Sequence, residues 1–265
     1  MTILAGVAGQ PIAHSLSPLI HTAWIAAAGL DADYRAFGPA DAAGFAALVA
    51  DGRAGLLRGL NVTAPFKEQA LALADEVGAA ARICGSANLL LFEDGRVRAD
   101  STDGAGLMAA LSEQAPQLNV PGKTAVVLGA GGAARAAVAA LRAAGADVGV
   151  LNRTRARAEV LAAELGARVV EATALKEAAL VVNALSVPPD IDMSRLRDDA
   201  VLMDMTYRPL VTPFLAQGRA LGLATVDGLA MLIGQAWPSF RALFGREPPD
   251  IDIRTPALAA LGETP

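Results

Sequence analysis

Cysteine is nearly absent from this 265-residue chain, and the single Cys84 excludes an internal disulfide framework and any cysteine-rich zinc site. That scarcity is consistent with a reduced, cytoplasmic compartment. Histidine is almost as rare: His14 and His21 stand seven apart with no Cys, Asp or Glu close by. Such spacing gives no metal site, and both are read as structural histidines. Positive charge is not in excess, since 22 Lys and Arg face 27 Asp and Glu for a net charge of −5. A broad basic surface for nucleic acid is therefore not expected. The first thirty residues carry no charged side chain, which raises the question of a signal peptide or a membrane span. Polar breaks interrupt them, and the longest clean apolar run, Ala23 to Leu30, is far short of the ~20 residues that cross a bilayer. No basic stretch precedes it, so neither a targeting segment nor a membrane association is expected. Low-complexity tracts and fixed-period repeats are also missing.

What the chain does contain is apolar material, 54% of residues against 18% charged, enough for one or two sizeable cores. At ~150 residues per domain, the length points to about two. Ile3 to Gly9 reads as a buried strand, followed by a loop to Ser17. Pro18 then sits where helices start, with Leu19, Ile20, Ala23, Trp24 and Ala27 following at helical spacing. Strands are expected over 33–37, 56–62, 87–93 and 96–98, with Asp94-Gly95 as a hairpin turn between the last two. Helices are expected over 42–50, 68–74 and 104–111. From Lys123 onward the rhythm becomes strand, helix, strand. Apolar runs at 124–128, 148–151, 180–182, 201–203 and 224–226 are separated mostly by helical patterns, a doubly wound α/β arrangement. Helices over 229–244 and 255–261 close the chain.

Gly129-x-Gly131-x-x-Ala134 directly follows an apolar strand and opens a helix, the context that makes a dinucleotide fingerprint credible. Gly129 permits the tight turn, and Gly131 lets a pyrophosphate approach the backbone. Ala134 is small enough for close helix packing. Enzymes that use NAD commonly place Asp or Glu ~20 residues on, at the ribose 2′-hydroxyl. Here the next strand ends in Asn152-Arg153-Thr154-Arg155-Ala156-Arg157, with no carboxylate. Arginine offers a charged planar fork to a 2′-phosphate, so NADP(H) is the expected cofactor. The plainer alternative is a helix start with Thr154 as N-cap and solvated arginines. Cations there oppose the helix dipole by ~0.3–1 kcal/mol each, which argues for a ligand.

In the N-terminal half, Ser15 and Ser17 lie two apart on a loop before a helix. By themselves they read as capping residues, Ser17 with Pro18 making a good cap. Lys67 reads as solvated from pattern alone, and Asp103 as an N-cap. Yet Ser15, Ser17, Thr63, Lys67, Asn88 and Asp103 all fall at strand ends or helix starts, which in an open α/β layer form the rim of a crevice.

Several ordered motifs together resemble the shikimate dehydrogenase family over nearly the whole chain. They are residues 9–21 (Gly9-Gln10-Pro11 through His21), residues 61–68 containing Asn61-Val62-Thr63 and Lys67, and Thr102-Asp103-Gly104. The stretch 129–135, Asn152-Arg153-Thr154, residues 204–215, residues 227–232 and Gln235-Ala236 complete the set. The resemblance implies two α/β domains flanking a cleft. A substrate domain of residues 1–102 is completed by C-terminal helices 229–265, and residues 103–228 form a Rossmann-like NADP domain. It implies reversible NADPH-dependent reduction of 3-dehydroshikimate to shikimate, in aromatic amino acid biosynthesis, by a monomer or homodimer. Carried onto this chain, it implies Lys67 and Asp103 as the catalytic pair and Ser15 and Ser17 as carboxylate ligands. Thr63, Asn88, Asp103, Tyr207 and Gln235 would contact the substrate hydroxyls or ring. Cofactor contacts map to Gly129, Ala130, Gly131, Gly132, Ala133, Asn152, Arg153, Thr154, Arg157, Met205 and Gly228.

Four positions depart from the family's usual residues: Leu89 and Leu185 for threonines, Ser101 for asparagine and Ala230 for glycine. Leu89 and Ser101 flank substrate positions and bear on preference for quinate or a related polyol; Leu185 bears on cofactor orientation. The rival readings are a quinate/shikimate dehydrogenase with relaxed substrate or cofactor use, and a non-catalytic nucleotide-binding sensor. Retention of both Lys67 and Asp103 argues against the sensor.

Overall fold

The computed structural model describes residues 2–263, so the expected domain limits at residue 1 and at residues 264–265 lie outside the described residues. The chain divides into two compact units, Met1–Thr102 with Gln235–Pro265, and Asp103–Gly234.

The first unit is built on a six-stranded sheet, β1 (Ile3–Ala8), β2 (Ala32–Phe37), β3 (Gly59–Val62), β4 (Glu76–Val77), β5 (Leu89–Glu93) and β6 (Arg96–Asp100), in the order β2-β1-β3-β5-β6-β4. β1 runs parallel to β2 and β3, whereas β5 is antiparallel to both β3 and β6. The hairpin joins β5 and β6 as expected, with Asp94 at φ 51° and Gly95 at φ 75°, the left-handed pair that a two-residue turn needs. Helices α1 (Ser17–Ala27), α2 (Ala42–Arg53), α3 (Lys67–Ala72) and α4 (Ala79–Cys84) connect the strands. Asp41 caps α2, its side chain accepting from Gly44 N–H at 2.8 Å. One core joins Phe45, Val49, Leu60, Phe66, Leu90, Phe92 and Val97, with Phe45 and Phe66 stacked at 4.9 Å.

In α1 the inward face differs from the expected one. Ile20, His21, Trp24 and Ile25 are buried, while Ala27 is exposed. The polar imidazole takes an inward place because four aromatic rings surround it. Tyr34 is stacked at 4.1 Å, Trp24 stands edge-on at 5.8 Å, and Phe240 and Phe244 lie at 6.0 and 6.5 Å. Burial without charge compensation lowers the His21 pKa to about 3 and raises the Tyr34 phenol well above its ordinary value.

The second unit opens with α5 (Asp103–Gln114) and holds a wholly parallel sheet of β7 (Thr124–Leu128), β8 (Asp147–Leu151), β9 (Arg168–Val169), β10 (Leu180–Asn183), β11 (Val201–Asp204) and β12 (Ala224–Val226). Its order, β12-β11-β10-β7-β8-β9, is the doubly wound dinucleotide-binding topology, with its switch point between β7 and β10. Helices α6 (Gly132–Ala143), α7 (Arg155–Leu165) and α8 (Pro213–Ala220) connect these strands. Val126, Val127, Val148, Val150, Val181 and Val182 are fully buried, because parallel strands are covered on both faces. The long helix α9 (Gly228–Phe244) begins in this unit and ends in the first, and α10 (Arg254–Leu261) follows it. Among the described residues no helix is long and apolar enough to cross a membrane.

Candidate active site

In the first unit, strand directions gather the motifs at one edge of the sheet. Ala8 pairs with Val62, so the loops leaving β1 and β3 emerge side by side. Antiparallel pairing of Asn61 with Leu89, and of Leu89 with Asp100, brings the start of β5 and the end of β6 to that same edge. Backbone bonds then tie the loops, Gln10 N–H donating to Ala64 O at 3.0 Å and Thr63 N–H to Ala8 O at 2.9 Å. Gly9 is packed against the Thr63 methyl so closely that a Cβ there would strike it.

The structure corrects the cap assignment of Ser17. Ser17 is the first residue of α1 and not its cap; Leu16 holds that position without a side-chain bond. Ser15 Oγ instead accepts from Ser17 N–H at 3.3 Å. Asp103, expected as a cap, lies inside α5 as its first residue, where its carboxylate suits the helix dipole. Lys67 likewise opens α3, where the dipole disfavours an ammonium by ~0.3–1 kcal/mol. Its own helix therefore does not explain the cation.

Asn88 and Gln235 meet directly, Asn88 Nδ2 donating to Gln235 Oε1 at 3.1 Å and to Thr102 Oγ1 at 3.0 Å. Thr102 N–H returns a bond to Asn88 Oδ1 at 2.8 Å. Three residues that sequence reasoning gave no role join this group. Tyr34 Oη donates to Asn61 Oδ1 at 2.8 Å, Asn61 Nδ2 donates to Ser239 Oγ at 2.9 Å, and Ser239 Oγ donates to Gln235 O at 3.0 Å. Asn61 stands inside a recognised motif, but nothing local in the sequence marks Tyr34 or Ser239. Leu89 is buried in the β3–β5–β6 ladder, and Ser101 Oγ is buried with no hydrogen-bond partner among the described residues.

In the second unit the parallel strands deliver their loops to one edge: 129–133 after β7, 152–154 after β8, 183–186 after β10, 205–212 after β11 and Gly228 after β12. Gly129 has φ +116°, which L side chains rarely adopt, and its Cβ position would lie 3.1 Å from Leu185 Cδ2. A Cβ on Gly131 would meet nothing within 4 Å, and residues 131–133 are exposed at the start of α6. This open backbone turn at a switch point fits a pyrophosphate. Asn152 Nδ2 donates to Thr154 O at 2.9 Å, shaping the next loop. Thr154 holds the N-cap position of α7, but its side chain makes no cap bond. Arg155 is engaged by Glu159 at 2.9 Å and Glu171 at 2.6 Å. Arg153 and Arg157 are exposed and form no ion pair among the described residues, so two charged forks remain for a 2′-phosphate.

The buried Asp204 carboxylate, which sequence reasoning passed over, fastens two of these loops. It accepts from Thr206 N–H at 2.9 Å, Thr212 Oγ1 at 2.7 Å and Asn183 Nδ2 at 3.0 Å, and Asn183 Oδ1 in turn holds Leu185 N–H at 3.2 Å. Met205 and Tyr207 ride on the loop so fixed. A Cβ on Gly228 would come within 2.5 Å of Thr206 O, so only glycine lets the chain pass there. Asp227 accepts from Ala230 N–H at 2.9 Å, and Ala230 is buried.

Comparison with known proteins agrees with this geometry. Residues 7–90 match the model of the shikimate dehydrogenase substrate binding domain, and residues 110–188 that of shikimate / quinate 5-dehydrogenase. A protein of Caulobacter vibrioides named shikimate dehydrogenase (NADP(+)) is 52% identical, over 98% of this chain and 96% of that protein. A protein of the same name from Cereibacter sphaeroides is 44% identical over 97% of each. The crystal structure of shikimate 5-dehydrogenase from Thermus thermophilus, in complex with NADP(H) and shikimate, superposes with a TM-score of 0.91 at 37% identity, covering 98% of this chain and 100% of that one. With both sheets, both loop edges and a full-length likeness in agreement, this chain belongs to the shikimate dehydrogenase family.

Proposed function

We propose that the protein catalyses the reversible NADPH-dependent reduction of 3-dehydroshikimate to shikimate. The observation that carries this reading is the end-to-end likeness to relatives named shikimate dehydrogenase (NADP(+)), joined to arginines in place of a carboxylate after β8. Gly129, Ala130, Gly131, Gly132 and Ala133 would hold the pyrophosphate on backbone N–H groups. Asn152, Arg153, Thr154 and Arg157 would hold the phosphorylated ribose, with Met205 and Gly228 beside the nicotinamide. When bound, the cofactor supplies the hydride for the substrate's carbonyl carbon. Lys67 then acts at the carbonyl oxygen, where negative charge develops. Its ammonium stabilises that charge and delivers the proton that completes the hydroxyl. Asp103 would be the second member of the catalytic pair. Ser15 and Ser17 donate to the ring carboxylate, and Thr63, Asn88, Tyr207 and Gln235 orient the hydroxyls. The domain roles follow, residues 1–102 with the C-terminal helices binding substrate and residues 103–228 binding NADP. The enzyme would work in the cytoplasm.

Initial rates with shikimate and with quinate, each with NADP and with NAD, test the reading. The shikimate and NADP pairing should exceed the other three in kcat/KM by about tenfold or more. A preference for quinate with NAD would overturn it. So would binding of NADP with no reduced-nicotinamide absorbance at any pH, which is the behaviour of a sensor.

A further inference from the structure

In a doubly wound sheet each half binds one mononucleotide, so β10, β11 and β12, across the switch point from β7, form the half that would receive the nicotinamide. Two buried side chains of opposite polarity, Asn183 ending β10 and Asp204 ending β11, face each other in the register of those strands. Leu185 N–H can only donate, so the Asn183 atom 3.2 Å away is its oxygen. The other end of that amide, Nδ2, donates to Asp204 Oδ2 at 3.0 Å. Thr212 Oγ1 accepts from Leu215 N–H at 3.3 Å as the cap of α8, and gives its proton to Asp204 Oδ2 at 2.7 Å. Asp204 Oδ1 takes Thr206 N–H at 2.9 Å. The pair therefore ends on backbone N–H groups of the loops themselves, at Leu185 and Thr206. Leu185 carries the effect to the glycine turn, its Cδ2 lying 3.1 Å from where a Gly129 Cβ would stand. Thr206 carries it to the loop after β12, since a Cβ on Gly228 would come within 2.5 Å of Thr206 O and 2.8 Å of Met205 O. Three loops of this half take their spacing from one carboxylate–amide pair. Burial makes any mismatch of donors and acceptors there costly.

We infer that Asp204 and Asn183 are positioning residues for the nicotinamide end of the cofactor, setting the spacing of the loops that carry Leu185, Met205 and Gly228. The pair acts through its polarity, so interchanging the two residues keeps every bond. An amide at position 204 would donate to position 183 and to Thr212 Oγ1, and would still accept from Thr206 N–H. A carboxylate at position 183 would still accept from Leu185 N–H. Asp204→Asn alone keeps the shape of the side chain but sets two amide nitrogens against each other. The inference rests on the function proposed above, because only that reading brings a nicotinamide to these loops.

Isothermal titration with NADP and with 2′-phospho-ADP-ribose, which lacks the nicotinamide ring, tests it. The proteins compared are the unaltered chain, Asp204→Asn, Asn183→Ala and the interchanged Asn183→Asp/Asp204→Asn. Asp204→Asn should weaken NADP about 5- to 20-fold and the ringless analogue by less than about twofold, with kcat for shikimate down about 10- to 100-fold. The interchanged pair should bring NADP affinity and kcat back to within about threefold of the unaltered protein. It should also return the backbone 15N–1H resonances of Leu185 and Thr206 toward their original positions. Asn183→Ala releases Leu185 N–H at the cost of a small cavity, and carries the same test if Asp204→Asn does not fold: NADP should weaken and the ringless analogue should not. Equal weakening of both ligands would mean that the pair serves the fold as a whole, which overturns the inference. An interchanged pair as impaired as Asp204→Asn overturns it too, as does unchanged NADP binding in the single variants. Binding of NADP without shikimate turnover in the unaltered protein would instead overturn the proposed function, while the comparison of the two ligands would still decide the role of the pair.

Discussion

The candidate substrate edge of the first unit and the candidate cofactor edge of the second hold their functional groups by opposite means. In the first, Asn88, Gln235, Asn61 and Ser239 are joined in a partly buried network of hydrogen bonds through side chains and main-chain carbonyls. In the second, Gly129–Ala133 offers backbone groups at an open turn, and Arg153 and Arg157 reach out from exposed positions. The contrast follows from what each edge would bind. A small polyol is distinguished by where its oxygens sit, so its contacts need fixed donors and acceptors. A phosphate is a symmetric anion that accepts from many directions, so helix N-termini and solvated guanidinium groups suffice.

The sharpest way to break this contrast is at Lys67, which would supply the chemistry rather than the placement. Lys67→Ala should lower turnover about 10²–10⁴-fold while shikimate KM changes modestly. Steady-state rates at saturating NADP would check this. Near-normal turnover would remove the ammonium from the reaction and leave the first edge as a binding surface alone.

A smaller effect is expected at the second edge. Arg153→Ala should weaken NADP about 10- to 100-fold, the worth of a lost charge-assisted bond, and leave NAD nearly untouched. Isothermal titration with both cofactors would show it. Equal losses for the two would mean that Arg153 serves the pyrophosphate or the fold, and that 2′-phosphate selection lies elsewhere.

The same contrast explains what sequence alone could disclose. The second edge is written in contiguous residues: a strand, the glycine turn and a helix start lie within 124–135, and the arginine run follows one strand later. Periodicity and turn chemistry also located β7, β12 and the Asp94-Gly95 hairpin, because each depends on near neighbours. The first edge is assembled from far-separated positions. Tyr34 and Asn61 are 27 residues apart, Asn88 and Gln235 147, and Asn61 and Ser239 178. No local pattern marks Ser239 as polar for a purpose in the middle of a helix. Asp204 escaped for a related reason, as its burial among Asn183, Thr206 and Thr212 depends on strands that meet only in the folded sheet. The cap assignments of Ser17 and Asp103 failed by a single residue, within the ordinary drift of helix ends.

The smallest expected effect is also the one that turns that network into a measurable property of the first unit. His21 lies against Tyr34, and burial holds its pKa at about 3 against an ordinary 6.5. Between those values the unfolded chain binds a proton that the folded chain refuses, so stability rises with pH across the window and is complete above it. By pH 5.5 the loss relative to neutral pH should be about 1 kcal/mol, growing further as the pH falls toward the folded value. Other carboxylates and histidines add their own pH dependence, so the informative quantity is a difference between proteins. Urea unfolding of the unaltered chain and of His21→Phe at pH 7.5 and 5.5 isolates it. The phenylalanine changes packing at both pH values alike, whereas only the imidazole titrates. If the two proteins lose equal stability on acidification, His21 is protonated in the folded state, and the dry aromatic pocket that holds Tyr34 over Asn61 admits charge or water after all.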